Sequence, residues 1–128
     1  MSGKRRPYIL TATAERDFRE ARRWSLSRWG KELTRQYFVD LHKGAEGLAQ
    51  NHSAVPQMAG PGDLSVYPVR EHYIVYVPIG NNRIVIVALI RQTRDVPEIL
   101  NANSFKIRRQ LKEIFDKLER GAIPNLAR

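Results

Sequence analysis

The sequence contains no cysteine, which excludes a disulfide scaffold, a thiolate metal site and a cysteine nucleophile. No stretch approaches the roughly 18 apolar residues that cross a bilayer, and the N-terminal MSGKRRPYIL lacks the apolar segment of a signal peptide. The three histidines, His42, His52 and His72, form no metal-binding motif. We therefore expect a soluble, cytoplasmic protein without a metal or cofactor.

Positive charge is what the chain has in excess. Its 128 residues include 22 Lys and Arg against 13 Asp and Glu, which gives a net charge of +9 and a pI near 10.4. Such a protein is attracted to nucleic acid, the ribosome, an anionic membrane or an acidic protein. The length predicts a single domain, with a basic arm at 1–7, a core at 8–100 and a C-terminal helical extension at 101–128.

Helical patterns fill the first half of the core. A short strand at Tyr8–Thr11 precedes a helix at 14–29, for which Thr13 is the predicted N-cap, with Asp17 in the acidic first turn. Gly30 ends this helix, and a second helix follows at 31–50. Because the break is so short, the two helices should form an antiparallel hairpin. The apolar stripe of the second helix is predicted to contain Leu33, Tyr37, Leu41 and Leu48.

The second half changes to a strand pattern after a Pro- and Gly-containing loop at 51–63. Three Val-, Ile- and Tyr-rich strands are predicted at 64–70, 73–79 and 83–91, with Glu71-His72 as the first turn. A short helix opens at Asp95 and Pro97, and an amphipathic helix spans 104–120. The predicted fold class is α+β: an N-terminal helical hairpin packed on a small antiparallel β-sheet, plus the C-terminal amphipathic helix.

An ordered set of segments from Tyr8 to Leu100 resembles the RelE/ParE superfamily of bacterial toxins. The segments are Arg28-Trp29-Gly30, the strand 69–76 (VREHYIVY), and the strand from Ile84 whose tail is RDVPEIL at 94–100. That tail resembles the ParE branch. The resemblance implies the toxin half of a type II toxin–antitoxin module, with a cognate antitoxin as partner. The RelE branch cleaves mRNA on the ribosome, whereas the ParE branch, associated with plasmid stabilisation, inhibits DNA gyrase.

The cationic residues of RelE-type RNases discriminate between the branches. Those enzymes use lysines on the second strand, an arginine on the third, an arginine at the end of the fourth and a late Tyr or His around the scissile phosphate. This chain has VYP at 66–68, Ile74 and Ile99-Leu100 at the corresponding positions, so only Arg91 or Arg94 matches. The resemblance therefore favours a ParE-like inhibitor that binds gyrase and has no catalytic residue of its own.

Two alternatives stay open. A RelE-like ribosome-dependent mRNA endonuclease would depend on Arg70, Arg91, Arg94 and His72, although His72 is expected to face solvent in a turn. A non-toxic family member would only bind antitoxin. For target or antitoxin binding we predict two basic groups, one at strand ends and one along the first helix: Arg70, Arg91 and Arg94, and Arg16, Arg19 and Arg23.

The C-terminal helix presents an apolar stripe that must be covered. The stripe consists of Ile107, Leu111, Ile114, Phe115 and Leu118. Its own sheet, a second copy of the chain in a homo-oligomer, or an antitoxin in a hetero-oligomer are the three possible partners, and the sequence does not choose among them.

Overall fold

The computed structural model describes residues 8–52, 58–59, 63–80 and 82–121. The predicted basic arm at 1–7 and most of the loop at 51–63 lie outside these residues. In chain order the elements are β1 (Tyr8–Leu10), α1 (Ala12–Asn51), β2 (Met58–Ala59), β3 (Ser65–Val69), β4 (His72–Ile79), β5 (Arg83–Arg91), α2 (Val96–Ala102) and α3 (Ser104–Glu119).

Helix α1 is two helical arms joined at Gly30. Gly30 has φ 83° and ψ −177°, a backbone conformation that glycine adopts without a Cβ penalty. The Phe18 ring lies 6.3 Å from Phe38 and 5.8 Å from His42. Because these partners lie on opposite sides of Gly30, the first arm (12–29) and the second arm (31–51) run antiparallel. The predicted helical hairpin is confirmed.

The first arm begins at a different residue from the predicted one. Thr11 is the N-cap, since its Oγ1 accepts a hydrogen bond from the Ala14 N–H at 3.1 Å. The Thr11 N–H still donates to the Ile86 carbonyl at 3.1 Å, so the strand passes directly into the helix. The prediction of Thr13 as the cap was wrong.

The sheet contains β1-β5-β4-β3-β2 in that order. β3, β4 and β5 form an antiparallel meander, whereas β1 pairs parallel to β5, with Tyr8 opposite Ile84. The predicted antiparallel arrangement is confirmed for β3, β4 and β5, and β1 makes the sheet mixed because it adds to the free edge of β5 in the same direction. Strand β2 was not predicted; its two residues pair antiparallel with the start of β3, Met58 opposite Val66.

One core lies between the helical hairpin and the sheet. Ile74 and Tyr76 of β4 face this core and are fully buried. The approach is close at Gly44, where an added Cβ would lie 3.0 Å from both Val69 methyl groups. The stripe prediction for the second arm was wrong at Leu33, which is 61% exposed, because that position lies near the hairpin tip and beyond the sheet.

A second core covers the opposite face of the sheet. Val75, Val85 and Val87 lie there against α3, which buries Ile107 and Ile114. Of the three possible partners for the α3 stripe, its own sheet is therefore the one observed. Both faces of β5 are covered, which explains why seven consecutive residues of that strand are buried.

No helix within the described part of the chain combines the length and the apolarity that a membrane crossing requires.

Candidate functional site

A cleft opens where β5 extends beyond β1. The last residue of β1, Leu10, lies opposite Ile86, so the end of β5 has no strand partner on that side. The first arm of α1 takes this place, and Asp17 Oδ2 accepts a hydrogen bond from the Leu89 N–H at 3.1 Å. The cleft, here called the Trp24 cleft, has a volume of about 370 Å³ and is lined by Asp17, Glu20, Ala21, Trp24, His72, Leu89, Ile90, Arg91, Arg94 and Ile99.

Two acidic residues, Asp17 and Glu20, line the cleft, and Asp17 is the more buried of the two. Burial raises the pKa of this carboxyl from 3.8 to about 6, the Leu89 N–H opposes the increase, and the charge of Glu20 adds to it. The predicted place of Asp17 in the first turn was wrong, because the helix begins at Ala12. The carboxylate contacts the backbone of a neighbouring strand, so Asp17 fixes the position of the first arm on the sheet.

The arginines line the cleft from the end of β5, and Trp24 faces them from the same helix as Asp17 and Glu20. The Arg91 guanidinium lies 4.2 Å from the Trp24 ring centroid, and Arg28 lies 4.9 Å from the same ring. Trp24 also packs edge-on against Trp29 at 5.3 Å. These cation–π contacts hold the guanidinium of Arg91 in a defined place. The sequence analysis missed Arg28, although its spacing of four residues from Trp24 on one helix was a usable signal.

His72 is buried, with only 2% of its surface exposed. It is the first residue of β4, so the prediction of a solvent-facing turn histidine was wrong. A hydrogen bond joins the Tyr37 hydroxyl to His72 Nδ1, while Tyr37 Oη accepts the Glu71 N–H at 3.1 Å. Burial, followed by the charge of Arg91, lowers the pKa of His72 to about 4, so the imidazole is neutral at physiological pH.

Arg70 lies beside the cleft and does not line it. Its backbone has φ 56°, and its guanidinium donates to Asp40 at 2.6 Å and lies 4.9 Å from the Tyr37 ring centroid. Gln92 Nε2 donates to the Arg70 carbonyl at 2.9 Å. The charge of Arg70 is therefore partly satisfied within the protein.

The remaining predicted cations separate into two places. Arg94 is exposed and lines the cleft, and its N–H donates to the Arg91 carbonyl at 3.0 Å, so the two arginines share one turn. The basic ridge of the first arm is exposed and outside the cleft lining: Arg16, Arg19 and Arg23. The structure thus brings together Arg91, Arg94 and His72 in one cleft, with Arg70 next to it.

The Trp24 cleft is lined by both positively and negatively charged side chains, which suits it to binding. Arg91 and Arg94 are suited to a carboxylate or a phosphate, and Asp17 and Glu20 line the other side. Among the described residues there is no group of three His, Asp or Glu side chains suited to a metal ion. Ile99, at one of the positions that correspond to the late aromatic of RelE-type RNases, lines the cleft with an aliphatic side chain.

Comparison with known proteins identifies relatives of one kind. Residues 8–96 match the family model described as the ParE toxin of the type II toxin–antitoxin system parDE. A curated Toxin ParE from Escherichia coli is 30% identical over 91 residues, which is 70% of this chain and 87% of that protein. A chain from the chromosomal ParDE system of P. aeruginosa has the same fold, with a TM-score of 0.58 and 14% identity over 66% of this chain and 92% of its own. Helix α3 lies beyond the matched region of the family model.

Proposed function

The chain belongs to the ParE toxin family of type II toxin–antitoxin systems, and we propose that it inhibits DNA gyrase by binding and is neutralised by a cognate antitoxin. The working surface in this proposal is the basic wall of the Trp24 cleft, formed by Arg91 and Arg94. The exposed ridge of Arg16, Arg19 and Arg23 along the first arm adds positive charge for binding the target or the antitoxin.

The observation that supports this proposal most directly is how Arg91 is positioned and which groups it contacts. Its guanidinium is positioned 4.2 Å from the centroid of Trp24, yet the ion pairs within the described residues include neither Arg91 nor Arg94. By contrast, Arg70 is paired with Asp40. A pre-oriented cation without a carboxylate partner favours an anionic group supplied by another molecule.

Binding rather than catalysis is favoured by the groups around Arg91. A general base must be within hydrogen-bond reach of its proton and free to accept it. The Nδ1 atom of His72 is already engaged in a hydrogen bond with the Tyr37 hydroxyl, and Arg91 adds to the lowering of the imidazole pKa that burial causes. The aliphatic Ile99 supplies no acid or base to the cleft.

The test is a gyrase supercoiling and DNA-cleavage assay, with an mRNA cleavage assay on programmed ribosomes run in parallel. Wild-type protein should stop supercoiling and accumulate gyrase-linked broken DNA. Arg91→Ala should weaken inhibition roughly tenfold or more, as expected for loss of a central arginine contact. Arg35→Ala is the matched control, because Arg35 is exposed and its one ion pair among the described residues is with Glu32 in its own helix.

Three results would contradict this proposal in different ways. Ribosome-dependent mRNA cuts with unaffected gyrase would establish the endonuclease instead. Silence in both assays would favour the family member that binds antitoxin without being toxic. Equal inhibition by Arg91→Ala and Arg35→Ala would show that gyrase contacts another surface of the toxin.

A further inference from the structure

Helix α3 covers only part of its face of the sheet. It packs over β5, and the polar side chain of Gln110 reaches the Thr13 N–H at 3.1 Å on the β1 side. Toward β3 and β4 the burial of this face is uneven, since Val66 and Val75 are buried in the second core. Leu64, which packs against that core, and Val77 are only partly buried.

A groove follows from this incomplete coverage. It has a volume of about 550 Å³, larger than the Trp24 cleft. Its apolar lining comes from the sheet side, from α2 and from α3, and consists of Leu64, Val77, Leu100, Ile107, Leu111 and Phe115. We call it the α3 groove. Phe115, at its edge, remains 36% exposed, which leaves a large apolar side chain available to a partner.

The charges beside the groove identify the chemistry of that partner. Residues 104–112 of α3 contain Lys106, Arg108, Arg109 and Lys112 and no acidic residue. Arg108 itself lines the groove, with Asp63 on the opposite side. These cations oppose the dipole at the N-terminal end of the helix, so an acidic partner would relieve an unfavourable arrangement as well as form charge-assisted contacts.

We propose that the α3 groove docks an acidic, amphipathic helix of the cognate antitoxin. The proposal rests on the toxin–antitoxin function proposed above. A partner helix would place apolar side chains at i, i+3 and i+4 against Leu111 and Phe115, and acidic side chains toward Arg108. The interval from Ile107 to Phe115 is about 12 Å long at the helical rise, which accommodates two turns of a partner.

This anchor is separate from the working surface. Helix α2 stands between the two sites, since Ile99 lines the Trp24 cleft and Leu100 lines the α3 groove. The antitoxin would therefore hold on to the toxin through α3 while other parts of it act on the cleft. The match to the family model ends at residue 96, so the groove is built partly from residues beyond the matched region.

The experiment measures binding of the protein encoded beside the toxin gene, by calorimetry, to the full-length chain and two double variants. Phe115→Ala with Arg108→Glu removes the apolar edge and reverses the charge of the groove. Phe105→Ala with Arg35→Glu makes the same changes at residues that do not line it; Phe105 is 75% exposed, and Arg35 lies on the helical hairpin, apart from the cations of α3. Circular dichroism checks that both variants are folded, and Leu111→Gln serves as a further groove variant.

We expect the groove variant to bind at least about tenfold more weakly than wild type, and the control to bind within about twofold. Both variants should inhibit gyrase as strongly as wild type does. Added antitoxin should restore gyrase activity in the presence of the control variant and fail to restore it in the presence of the groove variant. Equal affinities of the two variants for the antitoxin would refute the α3 groove as the antitoxin-binding site and leave the proposed toxin function intact. No binding to wild type would overturn both the groove and antitoxin neutralisation. A wild-type dimer that only the groove variant dissociates would assign the groove to a second copy.

Discussion

Replacement of Asp17 by Asn tests the energetic account of the cleft. Burial raises the pKa of Asp17 from 3.8 to about 6, so ionisation of this carboxyl opposes folding. Between these two pH values the folded protein binds a proton that the unfolded chain has released. Stability is therefore highest below pH 3.8 for this group, decreases as the pH rises to about 6, and stays level above that.

The magnitude follows from the same pKa. A change from 3.8 to about 6 is worth about 3 kcal/mol for a fully shielded carboxyl, and solvent screening of this half-buried one reduces the value to about 1–2 kcal/mol. Asn keeps a carbonyl oxygen for the Leu89 N–H and removes the charge. Asp17→Asn should therefore be about 1–2 kcal/mol more stable than wild type at pH 8, with Tm higher by roughly 3–8 °C.

Thermal unfolding followed by circular dichroism at pH 8 and pH 4 measures the effect. The advantage of Asp17→Asn should nearly disappear at pH 4, where the wild-type carboxyl is protonated in the folded state. Glu20→Gln is the control, because Glu20 lines the same cleft but is exposed, and its change should be within about 0.5 kcal/mol. If Asp17→Asn were less stable than wild type at pH 8, the charge-assisted bond to Leu89 would outweigh burial and the reasoning would be wrong.

Two further predictions concern the helical hairpin. Gly30→Ala should lower the free energy of unfolding by about 1–2 kcal/mol, because alanine is strained at φ 83°. Gly47→Ala, in an open helical position, should raise it by up to about 1 kcal/mol. Equal shifts in the melting temperature of the two variants would refute the special role of Gly30 at the junction of the two arms. Tyr37→Phe should cost about 1–3 kcal/mol in urea unfolding, since it leaves the Glu71 N–H and His72 Nδ1 without their partner; an unchanged midpoint would show that the network contributes nothing.

Local rules predicted the helical hairpin, α2, α3 and four of the five strands in the described residues. A glycine between two apolar helical patterns predicted the hairpin, and the structure has the positive φ at Gly30. Tyr76 and Val75 face opposite cores, as the alternation of side chains along a strand requires. Asp95 was correctly placed at the start of the short helix, where its side chain accepts the Glu98 N–H.

The same rules failed where a side chain finds its partner far away in sequence. His72 follows the exposed Glu71 and looked like part of a turn, but Tyr37, separated from it by 35 positions, binds it in the interior. Thr13 fits a cap by composition, yet Thr11 is held by β5 and caps the helix first. Strand β2 is two residues long, too short for any periodicity.

The sequence by itself determined the α+β class, the helical hairpin, the apolar stripe of α3 and the resemblance to the ParE toxins, because each depends on periodicity, on glycine, or on ordered segments along the chain. Only the tertiary structure decided which charges work together. It paired Arg70 with Asp40, placed Arg91 on Trp24 with no ion pair to a carboxylate among the described residues, and buried Asp17 beside β5. The physical reason is that ion pairing and the desolvation of charged side chains depend on distances between helices and strands that are far apart in sequence, and no local sequence pattern encodes those distances.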